Sequence, residues 1–563
     1  MKQVLFYLFL ICPFLLHGQP ENPDQKIMSL LDEADVAGLS LAVIRGGELA
    51  YKASFGVKSL YEMDPVTDET IFAAASLSKP VFSYALLQLV DEGKFDLDKP
   101  LFEYMPYPDV EHDDRYKKVT ARMVLCHQSG LPNWRQGKLD FIHDPGTAFQ
   151  YSGEGFVWLM KVIEKITDKD IDRFVKERIF DPLEMENTSY VWKDRFEANY
   201  AVPHDDDLIP ASKYKPDEGN VAHSLQTTAV DYAKFLVAVL QGNLFRDQTA
   251  DEIFGIQNHV PEKLNTSDAH HESVFWGLGF GLQRTRNGIS AWHWGDNGTF
   301  KCFFMLNLDS GSGLIYFTNS STGLSITPEI VEHMLGDDVP SWTWLNYEPF
   351  DSPTRLIYKG LQKHSLEEVL SPYLDQNGRH QDTGVIDERA MNRLGYRLMQ
   401  ARKLEEAKEV FKMNIAAYPE SSNVYDSYAE AGLKSGNTAE AIAYYKKSLA
   451  LNPENKNAER IIAQLDHSAT GEGLYRFELR AHQHAHFVSV IGGFNNWNNL
   501  HTICRLVNNR WIGYAKLEAG TYEYKFYVDG VPILDPQNPE SKNEGGWHRS
   551  VLTVLLKNLY PKR

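Results

Sequence analysis

The sequence predicts an α+β domain, followed by an α-helical repeat segment and a small β-sandwich. Residues 25–340 mix short β-like runs with amphipathic helices that do not alternate regularly, which favours a segregated α+β arrangement over a doubly wound sheet. Residues 387–466 repeat with a period of 34 residues, and residues 473–556 are rich in β-like runs separated by turn signals. Residues 341–386, which carry Pro and polar residues, are interpreted as a connector.

Length and composition agree with several folded units. At about 150 residues per domain, the 563 residues predict three or four of them. Hydrophobic residues make up 43% of the chain and charged residues 24%, which argues against long disorder and against a fibrous protein. The net charge of −19 repels phosphate backbones, so nucleic acid is not expected as a partner.

The first eighteen residues have the features of an export signal. Lys2 provides the positive start, Val4–Leu16 is an apolar run, and the small Gly18 offers a cleavage point. A buried N-terminal strand or helix is the alternative. The apolar run is too short to cross a bilayer, and no later stretch approaches the required twenty residues or so. We therefore expect an exported protein, periplasmic or extracellular, without a transmembrane segment.

Neither the cysteines nor the histidines indicate a metal site. Cys126, Cys302 and Cys504 remain after the signal, and their wide spacing fits buried thiols or at most one disulfide. Histidines alternate within residues 482–486, so a strand there would present three imidazoles on one face. A solvated strand face explains this pattern more simply than a metal site does. We expect no metal and no cofactor.

The strongest chemical signal is the spacing of Ser76 and Lys79 before an amphipathic helix, Val81–Asp91. A helix N-terminus carries unpaired N–H groups that favour developing negative charge. Residues three positions apart lie on the same helix face, so the Lys79 ammonium can meet the Ser76 hydroxyl. A serine hydroxyl is a weak nucleophile that needs such a base or an electropositive setting. The tetrapeptide alone is common by chance, and further motifs are needed.

Two further motifs follow in order. Residues 151–153 (Tyr-Ser-Gly) open an amphipathic helix, and residues 293–295 (His-Trp-Gly) precede an apolar strand at 303–306. With Ser76 and Lys79, this order resembles the three motifs of the serine β-lactamase and penicillin-binding-protein superfamily. It is most similar to the class C-like branch, which includes esterases and D-amino-acid peptidases. Segments 125–132, 181–185 and 227–235 resemble other sequences of that branch. The resemblance implies an antiparallel sheet flanked by helices.

The resemblance also implies catalytic roles. Ser76 would be the acylated nucleophile, Lys79 would take its proton, and Tyr151 would be the partner base or proton shuttle. Because a phenol has a pKa near 10, Tyr151 and Lys79 should titrate together. The oxyanion hole would consist of the backbone N–H groups of Ser76 and Asp296.

Two positions depart from the lactamase pattern. Gly153 stands where the second motif usually ends in Asn, and His293 stands where lactamases carry a Lys that meets the antibiotic carboxylate. Gly153 and Gly295 would line the substrate. These departures favour a serine hydrolase that acts on an ester or a small amide, with weak β-lactam hydrolysis at most. A β-lactamase or D-amino-acid peptidase, and a non-catalytic envelope binding protein, stay open as alternatives.

The repeat segment superposes on itself when shifted by 34 residues. The matching pairs are Gly395 with Ala429, Ala407 with Ala441, Phe411 with Tyr445, and Pro419 with Pro453. Small residues permit close helix packing, aromatic residues fill the next gap, and Pro ends each second helix. The pattern resembles tetratricopeptide repeats. Two repeats are few for a deep groove, so a spacer role and a protein-docking role both stay open.

The C-terminal sandwich resembles the glycogen-binding modules of AMP-activated kinase β subunits and starch-branching enzymes. The similarity rests on residues 494–497 and 519–530. It implies an immunoglobulin-like sandwich in which Trp497 stacks on a sugar ring and Lys525 reaches its hydroxyls. However, Pro532 occupies the position of the second stacking Trp. An α-glucan binder and a sandwich that only packs on the repeats therefore both stay open.

Overall fold

The computed structural model describes residues 23–135, 138–243, 245, 252–262, 270–373, 386–466, 474–544 and 547–554. The predicted export signal, residues 1–18, lies outside these ranges.

A large antiparallel sheet forms the centre of the first domain. The described strands are β1 (Gly38–Arg45), β2 (Glu48–Gly56), β3 (Phe72–Ala73), β4 (Gln226–Thr227), β5 (Asn258–Pro261), β6 (His270–Trp276), β7 (Gly281–Thr285), β8 (Gly288–Asp296), β9 (Lys301–Asn307) and β10 (Ser312–Thr318). Eight of them lie in the order β2-β1-β10-β9-β8-β7-β6-β5, and each neighbouring pair is antiparallel. β3 and β4 form a separate small pair. The predicted α+β class is confirmed.

Helices cover both faces of this sheet. They are α1 (Pro23–Ala34), α2 (Ser78–Asp91), α3 (Leu101–Tyr104), α4 (Ala121–Leu125), α5 (Gly153–Thr167), α6 (Ile171–Val175), α7 (Ala229–Gln241) and α8 (Thr327–Leu335). Strand residues alternate between two cores, as β10 shows. Ile315 and Phe317 pack with α2, α5 and α7, whereas Leu314 and Tyr316 pack with α1 and α8. The site described below lies where α2 and α5 meet the end of β8.

The connector is more helical than expected. The sequence indicates one helical piece at 365–373, and the structure has α9 (Pro340–Leu345), α10 (Pro353–Gly360) and α11 (Leu366–Leu370). α9 and α10 both begin with a Pro, which fits the first helical position because its missing N–H would have no partner there. Pro therefore starts helices here and does not mark irregular chain.

Five consecutive helices follow, and each packs on the next. They are α12 (Glu388–Gln400), α13 (Leu404–Ala417), α14 (Ser422–Lys434), α15 (Thr438–Leu451) and α16 (Lys456–Asp466). A Cβ on Gly395 would lie 2.3 Å from the ring of Phe411, so a small residue is required for this helix contact. That agrees with the predicted pairing of small and aromatic residues. The assignment to tetratricopeptide repeats stays a prediction.

The C-terminal domain is a small two-sheet structure. Its strands are β11 (Tyr475–Leu479), β12 (Val488–Gly492), β13 (Arg505–Val507), β14 (Arg510–Ala515), β15 (Gly520–Val528), β16 (Val531–Ile533), β17 (Ser541–Glu544) and β18 (Trp547–Val554). One sheet has the order β11-β14-β13, and the other has β12-β15-β18-β17 with β16 beside β15. Their inner faces share one core that includes Phe477, Val490 and Phe526.

Two features of the described residues bear on the predictions. No helix within the described ranges is long and apolar enough to cross a bilayer. Cys126, Cys302 and Cys504 lie buried and unbridged.

Candidate active site

Ser76 lies in a short 3₁₀ turn, Ala75–Leu77, directly before α2. Its side chain is partly exposed, whereas the residues on both sides are buried. Ala75 has a φ of 46°, a left-handed conformation that non-glycine residues rarely adopt. This turn presents the Ser76 hydroxyl at the mouth of the site while the following residues continue into the helix.

Buried hydrogen bonds fix the start of α2. The Ser78 hydroxyl donates to the carbonyl of Ala75 at 2.6 Å. Tyr190 donates its hydroxyl to the Ser78 carbonyl at 2.6 Å, and Tyr232 donates to the Leu77 carbonyl at 3.0 Å. Because these groups are buried, the bonds hold the serine turn in one position.

Lys79 contacts Ser76 as its spacing predicts. Its Nζ donates to the Ser76 Oγ at 3.1 Å and to the backbone carbonyl of Ala222 at 2.8 Å. The side chain has no exposed surface, and burial lowers the pKa of Lys79 from 10.5 to about 7. Lys79 therefore has access to its neutral amine form near pH 7, and only that form can accept the Ser76 proton.

Tyr151 lies against the same amine. The Lys79 Nζ is 4.9 Å from the centroid of the Tyr151 ring and 5.6 Å from that of Phe156. Burial raises the pKa of the Tyr151 phenol, and a weaker interaction with Ser76 opposes this shift. Its hydroxyl is buried, with no partner at ordinary hydrogen-bond geometry among the described residues. The phenol therefore rests protonated, which favours proton shuttling over action as a resting base.

His293 lies on β8 and is fully buried. Its Nδ1 is 2.8 Å from the Trp294 carbonyl, and since a carbonyl only accepts, we assign the proton to Nδ1. Burial, followed by the charge of Lys79, lowers the pKa of His293 to about 3. The imidazole is therefore neutral at physiological pH, and its buried Nε2 has no hydrogen-bond partner among the described residues. It cannot supply the positive charge that the lactamase Lys provides.

Gly153 is enclosed by Trp134. A Cβ on Gly153 would lie 2.7 Å from the Asn133 carbonyl oxygen and 2.8 Å from the Trp134 ring. The Gly153 N–H donates to the Asn133 side chain at 3.1 Å, which holds this loop against the start of α5. The indole thus occupies the space that an Asn side chain at position 153 would need. Gly153 serves close packing, and the partly exposed Trp134 becomes the wall of the site there.

Gly295 brings the end of β8 against the serine turn. A Cβ there would lie 2.4 Å from the Cys302 Sγ and 2.6 Å from the Ala74 carbonyl oxygen. Such contacts exclude any larger residue without displacement of the backbone. Asp296 follows next to this contact, so its position suits the predicted contribution of a backbone N–H to the oxyanion hole.

Sequence reasoning missed two histidines beside Lys79. His127 is fully buried, accepts the Ser152 N–H on Nδ1 at 3.1 Å, and lies 4.3 Å from the Tyr151 ring, measured between centroids. His223 lies 5.3 Å from the Trp134 ring. Burial and the nearby Lys79 charge lower the pKa of both, that of His223 to about 4. The only signal in the sequence was the resemblance of segment 125–132, which contains His127.

The predicted sugar-binding residues share one neighbourhood of the sandwich. Trp497 is 40% exposed, and the Arg549 guanidinium lies 5.5 Å from its ring centroid. Burial, followed by the charge of Arg549, lowers the pKa of Lys525. Arg549 also donates to Glu523 at 2.6 Å, so a mixed-charge patch surrounds the indole. An exposed aromatic face bordered by hydrogen-bonding groups suits a sugar ring.

The alternating histidines do not form a strand face. Residues 482–486 lie in the turn between β11 and β12, so the predicted shared face is wrong. The Asp529 carboxylate accepts the N–H groups of His486 and Phe487, and the Trp511 indole donates to the His482 carbonyl. Within the residues described, no cluster of three metal-ligating side chains occurs.

Comparisons with known families match two parts of the chain. The β-lactamase family profile matches residues 23–330, more than half of the chain. The profile described as the glycogen recognition site of AMP-activated protein kinase matches residues 475–559.

Individual relatives are distant. “Penicillin-binding protein 4*” of Bacillus subtilis (strain 168) is 23% identical over 412 residues, covering 65% of this chain and 85% of that protein. “Protein flp” of Staphylococcus aureus (strain NCTC 8325 / PS 47) is 19% identical over 340 residues, covering 57% of this chain and 66% of that protein. Among solved structures, the octameric penicillin-binding protein homologue from Pyrococcus abyssi matches with a TM-score of 0.50 and 22% identity, covering 60% of this chain and 81% of that one.

Proposed function

The chain belongs to the β-lactamase family, and we propose that it is a serine hydrolase that cleaves an ester or a small amide through an acyl-Ser76 intermediate. The observation that carries this proposal is the contact between the Ser76 hydroxyl and the buried Lys79 amine, whose pKa lies at about 7. A lysine of ordinary pKa would remain charged at neutral pH and could not act as a base.

The acylation step follows from these groups. The Ser76 oxygen attacks the substrate carbonyl carbon while its proton passes to the neutral Lys79 amine. The resulting oxyanion is stabilised by the backbone N–H groups of Ser76 and Asp296. When the carbonyl re-forms, the bond to the leaving group breaks, and that group takes a proton through Tyr151, which is replenished from Lys79. The step yields the acyl-enzyme, in which the acyl group is held as an ester on the Ser76 oxygen.

Deacylation reverses these proton movements. A water molecule attacks the acyl carbon and gives its proton to Lys79, directly or through Tyr151. The Ser76 oxygen then leaves the acyl carbon and recovers a proton from Lys79. The carboxylic acid product is released, and the enzyme returns to its starting state. Tyr151 rests as a neutral phenol, as burial requires, and moves a proton without accumulating as phenolate.

Two features favour neutral substrates over β-lactams. The third motif presents a neutral His293 where a lactamase presents a cation, so a substrate carboxylate would find no positive partner there. Trp134 fills the space beside Gly153, so no side-chain amide at that position can hold an acyl-side carbonyl. We therefore place esters and small amides first, and expect weak β-lactam hydrolysis at most. D-amino-acid peptides belong to the amide class that the site would accept.

A panel of substrates tests this proposal. Wild-type protein and Ser76→Ala are compared on p-nitrophenyl acetate, a D-alanyl dipeptide amide and nitrocefin. We expect ester turnover that Ser76→Ala abolishes, with nitrocefin turnover lower by about a hundredfold or more. Nitrocefin turnover comparable to that of the ester would overturn the interpretation of Gly153 and His293. Turnover unaffected by Ser76→Ala would overturn the proposed nucleophile.

Binding of an α-glucan is a second candidate function, for the sandwich. Its support is the glycogen-recognition profile together with the exposed Trp497 beside Arg549 and Lys525. The helical segment would then separate the hydrolase from the sugar-binding module or dock a protein partner. We further propose export to the periplasm or the cell exterior on the basis of residues 2–18.

A further inference from the structure

A tyrosine from the connector reaches the candidate active site. Tyr347 follows α9 and lies beyond residues 23–330, the range matched by the β-lactamase profile. Asn346 ends α9 in the left-handed conformation with a φ of 58°, which turns the chain back toward β8. The Tyr347 hydroxyl then donates to Asp296 Oδ2 at 2.6 Å.

Asp296 uses its carboxylate to fix the turn after β8. Its Oδ1 accepts the Gly298 N–H at 2.8 Å and the Lys301 ammonium at 2.5 Å; Gly298 lies in the β8–β9 connection, and Lys301 is the first residue of β9. Among the described residues, the side-chain donor to Asp296 that lies outside the β8–β9 hairpin is Tyr347. The hydrogen bond from Tyr347 therefore ties the Asp296 carboxylate to an element outside the β8–β9 hairpin.

The surroundings of Tyr347 keep its phenol protonated, so that it can donate a hydrogen bond to Asp296. Its hydroxyl donates to Asp296, its ring packs against the apolar cluster that contains Trp294, and the Lys301 Nζ lies 5.8 Å from its ring centroid. Burial and the adjacent carboxylate raise the pKa of Tyr347, so the phenol stays protonated throughout the neutral range. The Trp294 ring in turn lies 4.8 Å from that of Tyr151, between centroids. Tyr347 thus contacts Asp296 and packs near Trp294, and both of these residues lie at the end of β8.

The next residue joins the connector to the helical segment. Glu348 accepts a hydrogen bond from Arg397 of α12 at 3.1 Å, and Arg397 also lies 3.7 Å from Asp206 of the first domain. The Glu348 carboxylate also accepts from the Ser352 hydroxyl at 2.8 Å. Two neighbouring connector residues therefore face opposite ways, Tyr347 to the active site and Glu348 to the helical segment.

We propose that Tyr347 is a positioning residue for acylation of Ser76: it holds Asp296, and with it the backbone N–H of the oxyanion hole. Because Glu348 directly follows Tyr347 and pairs with Arg397 of α12, the position of Tyr347 depends on docking of the helical segment. The inference rests on the proposed hydrolase function, since the oxyanion hole matters only if Ser76 is acylated.

The kinetic test compares Tyr347→Phe with Tyr358→Phe. Tyr358 is the matched control because its hydroxyl also donates to an aspartate, Asp207 at 2.7 Å, from the same connector but away from the site. For Tyr347→Phe we expect kcat on p-nitrophenyl acetate to fall about 10- to 100-fold, with KM within about threefold, because a charge-assisted hydrogen bond is lost. Tyr358→Phe should retain wild-type kcat. Equal kcat values for Tyr347→Phe and wild type would overturn the proposal.

A double-mutant cycle tests the route through Asp296. If Tyr347 acts by holding this carboxylate, Tyr347→Phe and Asp296→Asn together should reduce kcat by clearly less than the product of the two single effects. Independent, multiplicative effects would contradict the route. Arg397→Gln should lower kcat in the same direction by a smaller factor, and an unchanged kcat would remove the helical segment from the proposal.

Hydrogen exchange separates this inference from the proposed function. Amides in residues 293–301 should exchange faster in Tyr347→Phe than in wild type or in Tyr358→Phe, whether or not the protein turns over an ester. If wild-type protein shows no hydrolase activity while this exchange difference is present, the proposed function fails and the structural role of Tyr347 stands. Unchanged exchange in Tyr347→Phe would overturn the positioning role itself.

Discussion

The burial of Lys79 predicts how activity depends on pH. Its pKa falls from 10.5 to about 7 because the charged form loses hydration without gaining a carboxylate partner. At 1.36 kcal/mol per pKa unit, burial disfavours the ammonium by about 5 kcal/mol. Since only the neutral amine accepts the Ser76 proton, kcat/KM should rise about tenfold per pH unit below pH 7 and level off above it.

Stability should also depend on pH with a definite sign, but over the range above pH 7. The folded pKa of Lys79 lies below its unfolded value, so the unfolded chain binds more protons between about pH 7 and pH 10, and stability rises with pH across that window. Lys79→Met removes the buried amine with little change of volume. The variant should therefore melt several degrees higher than wild type at pH 7, and the difference should shrink toward pH 10.

The assay is a pH series of ester hydrolysis from pH 5 to 9, with the Ser76→Ala rate subtracted, together with calorimetry of Lys79→Met. Lys165→Met is the control, because Lys165 is exposed on α5 and should change neither profile. A rise of kcat/KM centred above pH 9 would contradict a lowered pKa of Lys79. So would a Lys79→Met variant that is less stable than wild type at pH 7.

Three further predictions concern side chains that the structure places in close contact. Gly153→Asn should destabilise the first domain by about 1–3 kcal/mol in thermal melts, and Trp134→Ala should relieve part of this in the double variant, because it removes the clash with the indole but not the one with the Asn133 carbonyl oxygen. Gly295→Ala should lower kcat/KM for p-nitrophenyl acetate by about a hundredfold or more, because its Cβ would lie 2.6 Å from the Ala74 carbonyl oxygen and would push the end of β8 away from the serine turn. Near-normal activity of this variant would contradict that contact. Trp497→Ala should abolish retention of the protein on an amylose column. The control Leu506→Ala changes another exposed side chain of the sandwich and should preserve retention. Equal retention of both variants would exclude Trp497 from sugar binding.

The sequence was most informative where structure is local. The contact between Ser76 and Lys79 follows from a spacing of three residues at the start of a helix, and the structure has it at 3.1 Å. The contact of Gly395 with Phe411 likewise follows from a small and an aromatic residue placed at repeat positions. In both cases helix geometry converts sequence spacing into distance.

Contacts between distant segments could not be predicted from the sequence. The carbonyl of Ala222, a partner of Lys79, comes from a loop 143 residues away, and a backbone group leaves no side-chain signature. Trp134 and Tyr347 each approach a motif from outside it, and only tertiary packing brings them there. The neutral state of His293 could not be predicted from the sequence either, because its pKa depends on burial and on the Lys79 charge rather than on residue type.

The turn at residues 482–486 shows why a side-chain pattern can mislead. Alternation alone indicates a strand, but Asp529, more than forty residues later, accepts the N–H groups of His486 and Phe487 and so stabilises a turn there. A competing hydrogen-bond partner of this kind is invisible until the fold brings it close.

Covalent labelling of Ser76 is the most direct test of the central claim. Folded wild-type protein is incubated with a fluorophosphonate at pH 8, and the adduct is located by mass spectrometry of its peptides. We expect one adduct per chain on Ser76, its absence in Ser76→Ala, and labelling that slows as the pH falls below 7. A folded protein that takes up no label, or that is labelled equally in Ser76→Ala, would show that Ser76 is not an activated nucleophile.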